Sequence, residues 1–444
     1  MNGLFTDLYQ LTMTQSYFKQ NRNDKAVFEV FIRSLPKQWQ YFVVTGVDEA
    51  ITKITNYAFD KEDLEYLKST EMFEDDFLNY LSTFKFKGNV YSVKEGTIMF
   101  PNEPIMQIEG NMIETQLLES FVLNTINFQT LIASKASRVV NAAKGKAIID
   151  FGLRRAQGEE AAMKAARASY LAGCVGTSNV AAGLKYNIPI SGTMAHSFIM
   201  QASSEYDAFL SYAKQYKESS ILLVDTYNTE EGIKNAIKVA LEMLKKNIEI
   251  KGIRIDSGDL VLYSKLARKM FKENNVSFMK VFVSNDLNEY KIAELELKGA
   301  VDGYGVGTEM ITAKPVAAIS GVYKLVVYNN KPVQKNSEGK HTIPGVKQIL
   351  RFYKNGTFIG DTVKYNDTAS NQNRNFKFTL PTEASRIELL LEEKVVGGES
   401  NYLTDDVKTR EYIKQQLESM SYIRDIEVNA DTVKTDLVKF EEIN

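Results

Sequence analysis

The hydrophobic pattern in the first third of the chain switches between helical and strand periods. Apolar residues recur about every 3.6 positions over residues 4–20, which predicts a helix, and residues 24–32 (DKAVFEVFI) follow as a strand. Short helices are expected from there to about residue 84. Residues 87–111 show the two-residue alternation of β structure, and a helical run over 114–143 closes this N-terminal lobe.

Beyond residue 143, short apolar runs alternate with helical patterns. Strands separated by one helix each form βα units and a parallel sheet. Six such units in succession favour a closed or incomplete, TIM-like β/α barrel, and a doubly wound sheet is the alternative because one sequence does not give the strand order. The six runs are AIIDF (147–151), IPI (188–190), ILLVD (221–225), GIRID (252–256), KVFVS (280–284) and DGYGV (302–306), with YKLVVY (323–328) as a candidate seventh.

The end of the chain returns to short β patterns with turn signals, followed by a charged helix near 405–420. No linker-like stretch separates this part from the rest, so its strands are expected to complete the N-terminal lobe. A chain of 444 residues also exceeds the size at which one core usually keeps growing. The predicted α/β organisation is therefore an N-terminal lobe (1–143), a β/α barrel domain (144–330) and a C-terminal segment packing on the lobe (331–444).

Composition narrows the class of protein. A chain with 44% hydrophobic and 25% charged residues is typical of a soluble globular protein. The net charge of −2 gives no broad basic field, which argues against a nucleic-acid partner. No secretory signal and no membrane-spanning run is recognised, so a cytoplasmic location without a membrane partner is expected. Cys174 is the only cysteine, which excludes an intramolecular disulfide and a cysteine-based zinc site.

Unusual polar and glycine-rich clusters fall at the carboxyl ends of the predicted strands. In a β/α barrel these ends share one face, where barrel enzymes build their active sites. The alternative is that each cluster serves only as a turn or a helix cap, which is less convincing for six clusters together. The clusters are FGLRR (151–155), GTMAH (192–196), DTYN (225–228), DSGD (256–259), SND (284–286) and GVGT (305–308).

Two of these clusters suggest phosphate and sugar chemistry. The glycines of Gly305-Val306-Gly307-Thr308 would let backbone N–H groups approach phosphate oxygens. Asp256 and Asp259 could bind ribose hydroxyls or hold Mg²⁺ through water. For Asp259 the alternative, a carboxylate facing the start of the next helix, is equally acceptable.

His196 is one of only two histidines, and the other, His341, falls in a polar C-terminal loop. It follows a Gly-Thr turn at a strand end, on the face expected to hold phosphate. Asp225 ends the next strand and could accept a hydrogen bond from one ring nitrogen, which would leave the other nitrogen as a nucleophile. The pair is therefore a candidate catalytic pair, against the simpler reading of a structural histidine.

Several motifs in this order resemble the nicotinate phosphoribosyltransferase family. The resemblance spans roughly residues 4–350 and is weaker in the stretch that carries Lys335, Lys340 and Lys347. It rests on LFTDLYQLTMTQSYF (4–18), DFGLRRAQG (150–158), GTMAHSF (192–198), IRIDSGDL (253–260), VSNDLNEYKI (283–292) and YGVGTEMITA (304–313).

The resemblance implies a type II phosphoribosyltransferase fold and a reaction in NAD salvage. Nicotinate would displace pyrophosphate from phosphoribosyl pyrophosphate to give nicotinate mononucleotide. ATP, as co-substrate, would drive the equilibrium through a phosphohistidine at His196, and Mg²⁺ would bridge the leaving group, with Asp256 a candidate ligand. The family also implies a homodimer with shared active sites.

The resemblance assigns two further sets of residues. For nicotinate they are Tyr9, Phe151, Arg154, Thr193 and Ser178. For the phosphoribosyl and phosphate groups they are Arg138, Arg254, Asp256, Asn285, Gly305, Gly307 and Thr308.

Three rival functions stay open at the level of sequence. Nicotinamide phosphoribosyltransferase has the same fold and chemistry, but those relatives place an aspartate where this chain has Ser178, and a neutral serine will not repel a carboxylate. A sugar-phosphate aldolase or isomerase would need a lysine or general base ending a strand, and none of the six strands clearly ends in lysine. A non-catalytic nucleotide sensor is the third.

Overall fold

The structure is a computed structural model that describes residues 3–335, 342–366, 374, 376, 378, 380–424 and 438–442. His341 and Lys340 therefore lie outside the described residues. The chain forms two compact units, the first made of Met1–Leu131 with Ala318–Asn444 and the second of Ile132–Ala317. The predicted domain limits at 143/144 and 330/331 stay a prediction beside this division.

Helices and strands alternate along most of the described chain. The helices are α1 (Leu8–Lys19), α2 (Val47–Thr55), α3 (Lys61–Ser69), α4 (Asp75–Ser82), α5 (Met112–Gln116), α6 (Glu119–Ala142), α7 (Glu159–Leu171), α8 (Val180–Tyr186), α9 (His196–Met200), α10 (Glu205–Tyr216), α11 (Thr229–Leu244), α12 (Leu260–Glu273), α13 (Glu289–Lys298), α14 (Thr308–Ile311), α15 (Asp406–Ser419) and α16 (Ser421–Arg424). The strands are β1 (Lys25–Ile32), β2 (Phe42–Val43), β3 (Asn89–Ser92), β4 (Ile98–Met99), β5 (Pro104–Asn111), β6 (Ala147–Asp150), β7 (Gly176–Thr177), β8 (Ile221–Leu223), β9 (Gly252–Ile255), β10 (Lys280–Val283), β11 (Gly303–Val306), β12 (Gly321–Tyr328), β13 (Lys331–Pro332), β14 (Val346–Lys354), β15 (Thr357–Asn366), β16 (Arg386–Leu389), β17 (Glu392–Val395) and β18 (Val438–Glu442). None of the helices in the described ranges is long and apolar enough to cross a membrane.

The first unit is built around a six-stranded sheet of order β13-β12-β1-β5-β3-β17. Every residue of β1 except Lys25 is buried, as expected for an apolar strand with a neighbour on each side. β12 pairs antiparallel with β1, and β17 pairs antiparallel with β3. Strands from the end of the chain thus complete the N-terminal sheet, as predicted. A second sheet has the order β16-β14-β15-β18.

Two buried ion pairs lie within the first unit. Lys347 Nζ lies 2.8 Å from Glu29 Oε2, and Arg351 lies 2.6 Å from Asp361, with all four side chains almost fully enclosed. A charge removed from water needs such a partner, because its desolvation would otherwise cost several kcal/mol, roughly the stability of a domain. Lys347, which belongs to the C-terminal part of the resemblance, therefore has a structural role.

The second unit contains a six-stranded parallel sheet of order β7-β6-β11-β10-β9-β8. The first strand, β6, pairs in parallel with the last, β11, from Ala147↔Gly303 to Asp150↔Val306. Neighbours otherwise follow the order of the chain, and the ring is interrupted between β7 and β8. A first strand beside the last one is the mark of a barrel, so the predicted incomplete β/α barrel is confirmed.

Two of the predicted barrel strands were wrong. Residues 188–190 contribute only an isolated bridge, Ile190 to Thr177, and the strand at this point of the barrel is β7. A two-residue strand carries too little pattern to be found by periodicity. Residues 323–328, the candidate seventh strand, belong to β12 in the first unit, where they pair with β1.

Candidate active site

The polar clusters found in the sequence collect at one edge of the barrel sheet. All neighbouring strands are parallel, so their carboxyl ends face the same way. Asp150, Thr177, Ile255, Val283 and Val306 are the last residues of β6, β7, β9, β10 and β11. Half of the fourteen predicted site residues follow these strand ends, which is the expected arrangement for a barrel enzyme.

His196 is the first residue of α9, and its ring makes one contact from each nitrogen. Nδ1 lies 3.0 Å from Thr226 Oγ1, and Nε2 lies 4.0 Å from Asp256 Oδ2. The side chain is 40% exposed, so one edge of the ring remains open to a ligand. The hydrogen bond that we expected from Asp225 is made by the next residue, Thr226.

Asp225 supports the neighbouring loop. Its Oδ2 accepts hydrogen bonds from Asp256 N at 3.0 Å and from Ser257 Oγ at 2.6 Å. Its other oxygen, Oδ1, is buried without a hydrogen-bond partner. Asp225 therefore fixes the loop that carries Asp256.

The two carboxylates of the DSGD loop have different surroundings. Asp256 accepts a hydrogen bond from Ser284 Oγ and is partly exposed beside His196. Asp259 caps α12, because its Oδ1 accepts from Leu262 N at 2.9 Å. Of the two readings that the sequence allowed for Asp259, the structure supports the helix cap.

Arg254 points from β9 toward the residues predicted to hold the pyridine base. Its guanidinium donates a hydrogen bond to Thr193 Oγ1 and lies 6.0 Å from the centre of the Phe151 ring. Burial lowers the pKa of Arg254, and its Nε has no hydrogen-bond partner. A partly desolvated guanidinium with a free donor is well suited to bind an anion.

Phe151 follows β6, with its backbone N–H bonded to Val306 O at 2.8 Å. Arg154 lies in the exposed turn Leu153–Arg155 that comes next. Ser178, half-buried after β7, donates its backbone N–H to Asp150 O at 2.8 Å. Three of the residues predicted to contact nicotinate thus belong to two adjoining loops.

The GVGT cluster is divided between a strand and a turn. Gly305 is buried inside β11, whereas Gly307 and Thr308 lie half-buried where α14 begins. Asn285 is exposed and adopts a positive φ of 98° after β10, a conformation that costs energy for a residue with a Cβ. Gly307, Thr308 and Asn285 therefore remain open to a phosphate.

Arg138 and Tyr9 differ from the other predicted site residues. Arg138 is buried, with its Nε 3.1 Å from Glu289 Oε1, and Lys135 binds the other oxygen of the same carboxylate. Tyr9 lies on α1 in the first unit and is 47% exposed. The structure gives Arg138 an internal ion-pair partner and leaves Tyr9 in the unit that does not carry the barrel.

Sequence reasoning missed several residues that shape this site. Thr226 and Ser284 stood inside quoted clusters, but a hydroxyl beside an aspartate gives no separate signal in a sequence. Glu289 lies in the first turn of α13, where an acidic residue is common and gives no separate signal. Asp150 was included in the resemblance without a role, because its burial could not be known.

The carboxylates at this edge fit Mg²⁺ only together with a substrate. Within the described ranges, no group of three His, Cys, Asp or Glu side chains could hold a metal ion. Mg²⁺ commonly binds through one or two carboxylates and completes its shell with phosphates and water. Asp256, which is partly exposed, satisfies that requirement.

Solved structures share this fold. Human nicotinic acid phosphoribosyltransferase aligns with a TM-score of 0.81 at 24% identity, covering 98% of this chain and 97% of that one. A nicotinate-nucleotide pyrophosphorylase from Pyrococcus furiosus aligns with a TM-score of 0.77 at 25% identity, covering 94% and 96%. The fold described above is thus shared with these two proteins.

Sequence comparison gives the family. Residues 4–127 match the nicotinate phosphoribosyltransferase N-terminal domain, and residues 146–371 match the nicotinate phosphoribosyltransferase family. A nicotinate phosphoribosyltransferase of Mycobacterium tuberculosis is 43% identical over 364 residues, 82% of this chain and 78% of that protein. A nicotinate phosphoribosyltransferase of Bacillus subtilis is 41% identical over 391 residues, which are 85% of this chain and 79% of that protein. The chain belongs to the nicotinate phosphoribosyltransferase family and is an enzyme of that family, which confirms the resemblance.

Proposed function

We propose that this cytoplasmic enzyme transfers a phosphoribosyl group to nicotinate, and that ATP drives the reaction by phosphorylating His196. The products would be nicotinate mononucleotide and pyrophosphate. The observation that carries the coupling is the position of His196, which is partly exposed between Thr226 and Asp256 at the strand ends. A structural histidine would instead be enclosed and satisfied on both nitrogens.

The base pocket is supported by Phe151, Arg254 and Ser178. The Phe151 ring would stack on the pyridine, and the Arg254 guanidinium, whose Nε lacks a partner, would bind the carboxylate. Arg154 and Thr193 would contact the same substrate, since Thr193 already holds the Arg254 guanidinium. Ser178 carries no charge, so it would not repel the substrate carboxylate.

Displacement at the anomeric carbon develops positive charge on the ribose and negative charge on the pyrophosphate. Asp225 and Asp256 would accept hydrogen bonds from ribose hydroxyls, which keeps the sugar oriented. The backbone of Gly307 and the Thr308 hydroxyl would bind the 5-phosphate, with Asn285 beside them. Mg²⁺, when bound at these carboxylates, neutralises charge on the leaving group. Arg138 is buried in an ion pair with Glu289, so it would bind the phosphates only after a rearrangement.

Transfer of the γ-phosphoryl group needs no reactant other than ATP and the His196 ring. A ring nitrogen would use its lone pair to attack the γ-phosphorus of ATP, the bond to the β-phosphate oxygen would break, and ADP would leave with that electron pair. Thr226 would hold the opposite nitrogen, which keeps the ring in place during attack.

Labelling with ATP that carries ³²P in the γ-phosphate tests the coupling. The native enzyme should acquire acid-labile label, His196→Ala should acquire none, and Asp225→Asn should acquire less because its loop is loosened. Thermal melts of the three proteins serve as the folding control. Acid-labile label on the His196→Ala enzyme would overturn the assignment.

A further inference from the structure

Asp150 is a buried carboxylate that the proposed reaction does not use. Its side chain is 1% exposed at the end of β6. Oδ1 accepts from Gly152 N at 2.8 Å, and Oδ2 accepts from Thr177 Oγ1 at 2.7 Å. Burial raises the pKa of Asp150, which the two hydrogen bonds partly offset. A buried carboxylate whose recorded partners are neutral is costly, so a purely structural reason for keeping it is weak.

The bonds of Asp150 join two loops that carry the base contacts. Gly152 lies directly between Phe151 and the turn with Arg154. Thr177 precedes Ser178, and its hydroxyl also accepts from Asn179 N at 3.0 Å. The backbone O of Asp150 receives the Ser178 N–H at 2.8 Å. One residue therefore fixes the position of both loops relative to each other.

We infer that Asp150 is a positioning residue for nicotinate, holding the loop of Phe151 and Arg154 against the loop of Ser178. The inference rests on the proposed function, in which these side chains contact the base. Asp150 itself touches no substrate. Each side-chain oxygen of Asp150 accepts one hydrogen bond, so an alanine at this position would remove both of them.

Steady-state kinetics of Asp150→Ala and Thr177→Val test this role. Each variant should raise the KM for nicotinate about tenfold, because a loop-to-loop hydrogen bond is lost. The KM for phosphoribosyl pyrophosphate and kcat should stay within about twofold, since the phosphate loop follows another strand. Thr177→Ser retains the hydroxyl and should keep the native KM for nicotinate.

A matched control is Ser264→Ala, which removes another buried hydrogen bond of the same unit, from Ala300 N to Ser264 Oγ at 3.1 Å. It should lower the melting temperature without raising the KM for nicotinate. If folded Thr177→Val and Asp150→Ala enzymes keep the native KM for nicotinate, or if all kinetic constants change together as in a general loss of structure, the inference is wrong. Failure of the native enzyme to form nicotinate mononucleotide would instead overturn the proposed function.

Discussion

The ring of Phe151 occupies the space where Gly305 lacks a side chain. A Cβ built on Gly305 would come within 2.4 Å of Phe151 Cδ2 and Cε2, well inside van der Waals contact. Gly305 lies on β11, which pairs with β6, and Phe151 directly follows β6. Gly305 was expected to let the backbone approach a phosphate. The absence of a side chain at Gly305 also makes room for the Phe151 ring, which would stack on the base.

Gly305→Ala should displace the Phe151 ring and raise the KM for nicotinate by about tenfold or more, since stacking and orientation are lost together. Steady-state kinetics with each substrate varied in turn measure this. If Gly305 serves phosphate binding alone, the KM for phosphoribosyl pyrophosphate will rise instead.

Gly303→Ala is the matched control. On the same strand, its added Cβ would come 2.8 Å from the ring of Phe282, on β10. It should lower the melting temperature and leave the ratio of the two KM values unchanged.

The choice between acid and amide substrates should depend on residue 178. Ser178→Asp would place a negative charge beside the substrate carboxylate, so kcat/KM for nicotinate should fall by about 10- to 100-fold, while nicotinamide should lose less. Competition between the two substrates, followed by analysis of the nucleotides, measures the shift. Ser178→Asn is the control for side-chain size. If kcat/KM for nicotinate falls equally in Ser178→Asp and Ser178→Asn, the negative charge is not the cause.

The homodimer with shared sites that the resemblance implies can be tested by mixing variants. Tyr9→Ala and His196→Ala chains, each poorly active, are unfolded and refolded together. If Tyr9 serves the site of the partner subunit, mixed dimers regain one intact site, and activity should rise toward about a quarter of the native value by statistical assortment. Activity that stays at the average of the parents, although mixed dimers form, would contradict sharing.

A buried carboxyl in the first unit should make stability depend on pH. Glu103 is fully enclosed, its Oε2 accepts from Phe100 N at 2.8 Å, and its Oε1 has no recorded partner. Burial raises the pKa of Glu103 well above its usual range, and the charge of Asp361 raises it further, although Arg351 opposes this. The folded protein thus binds a proton more tightly than the unfolded chain, and stability is lost as the pH rises above the unfolded pKa of Glu103.

Glu103→Gln keeps the shape and removes this titration. The melting temperature of Glu103→Gln minus that of the native enzyme should therefore increase as the pH is raised from 5 to 8. Glu29→Gln is the contrasting control, because it leaves buried Lys347 unpaired and should destabilise by about 3–5 kcal/mol. If the difference in melting temperature between Glu103→Gln and the native enzyme does not change with pH, Glu103 does not hold a proton in the folded protein.

The sequence could predict the barrel because five of its six strands carry an apolar run that is followed by a polar cluster. It could not predict β7, which has only two residues, or the pairing of β12 with β1, because pairing depends on contacts distant in the chain. Residues 188–190 were as apolar as the true strands, yet only Ile190 forms a bridge.

Most candidate site residues could be predicted because polar groups stand out after apolar strands. Their partners could not, since the choice of Thr226 over Asp225 for the His196 ring depends on side-chain direction at adjacent positions. The burial of Arg138 against Glu289, 151 residues away, likewise has no local signal.

The most direct test of the account is product analysis after incubation with nicotinate, phosphoribosyl pyrophosphate and Mg²⁺, with and without ATP. The proposal predicts nicotinate mononucleotide and pyrophosphate in equal amounts, and a product-to-substrate ratio that rises when ATP is present and is hydrolysed to ADP. His196→Ala should abolish that rise while retaining some transfer, because the base and ribose contacts remain. No nicotinate mononucleotide under either condition, or an equal yield from nicotinamide, would contradict the proposed function.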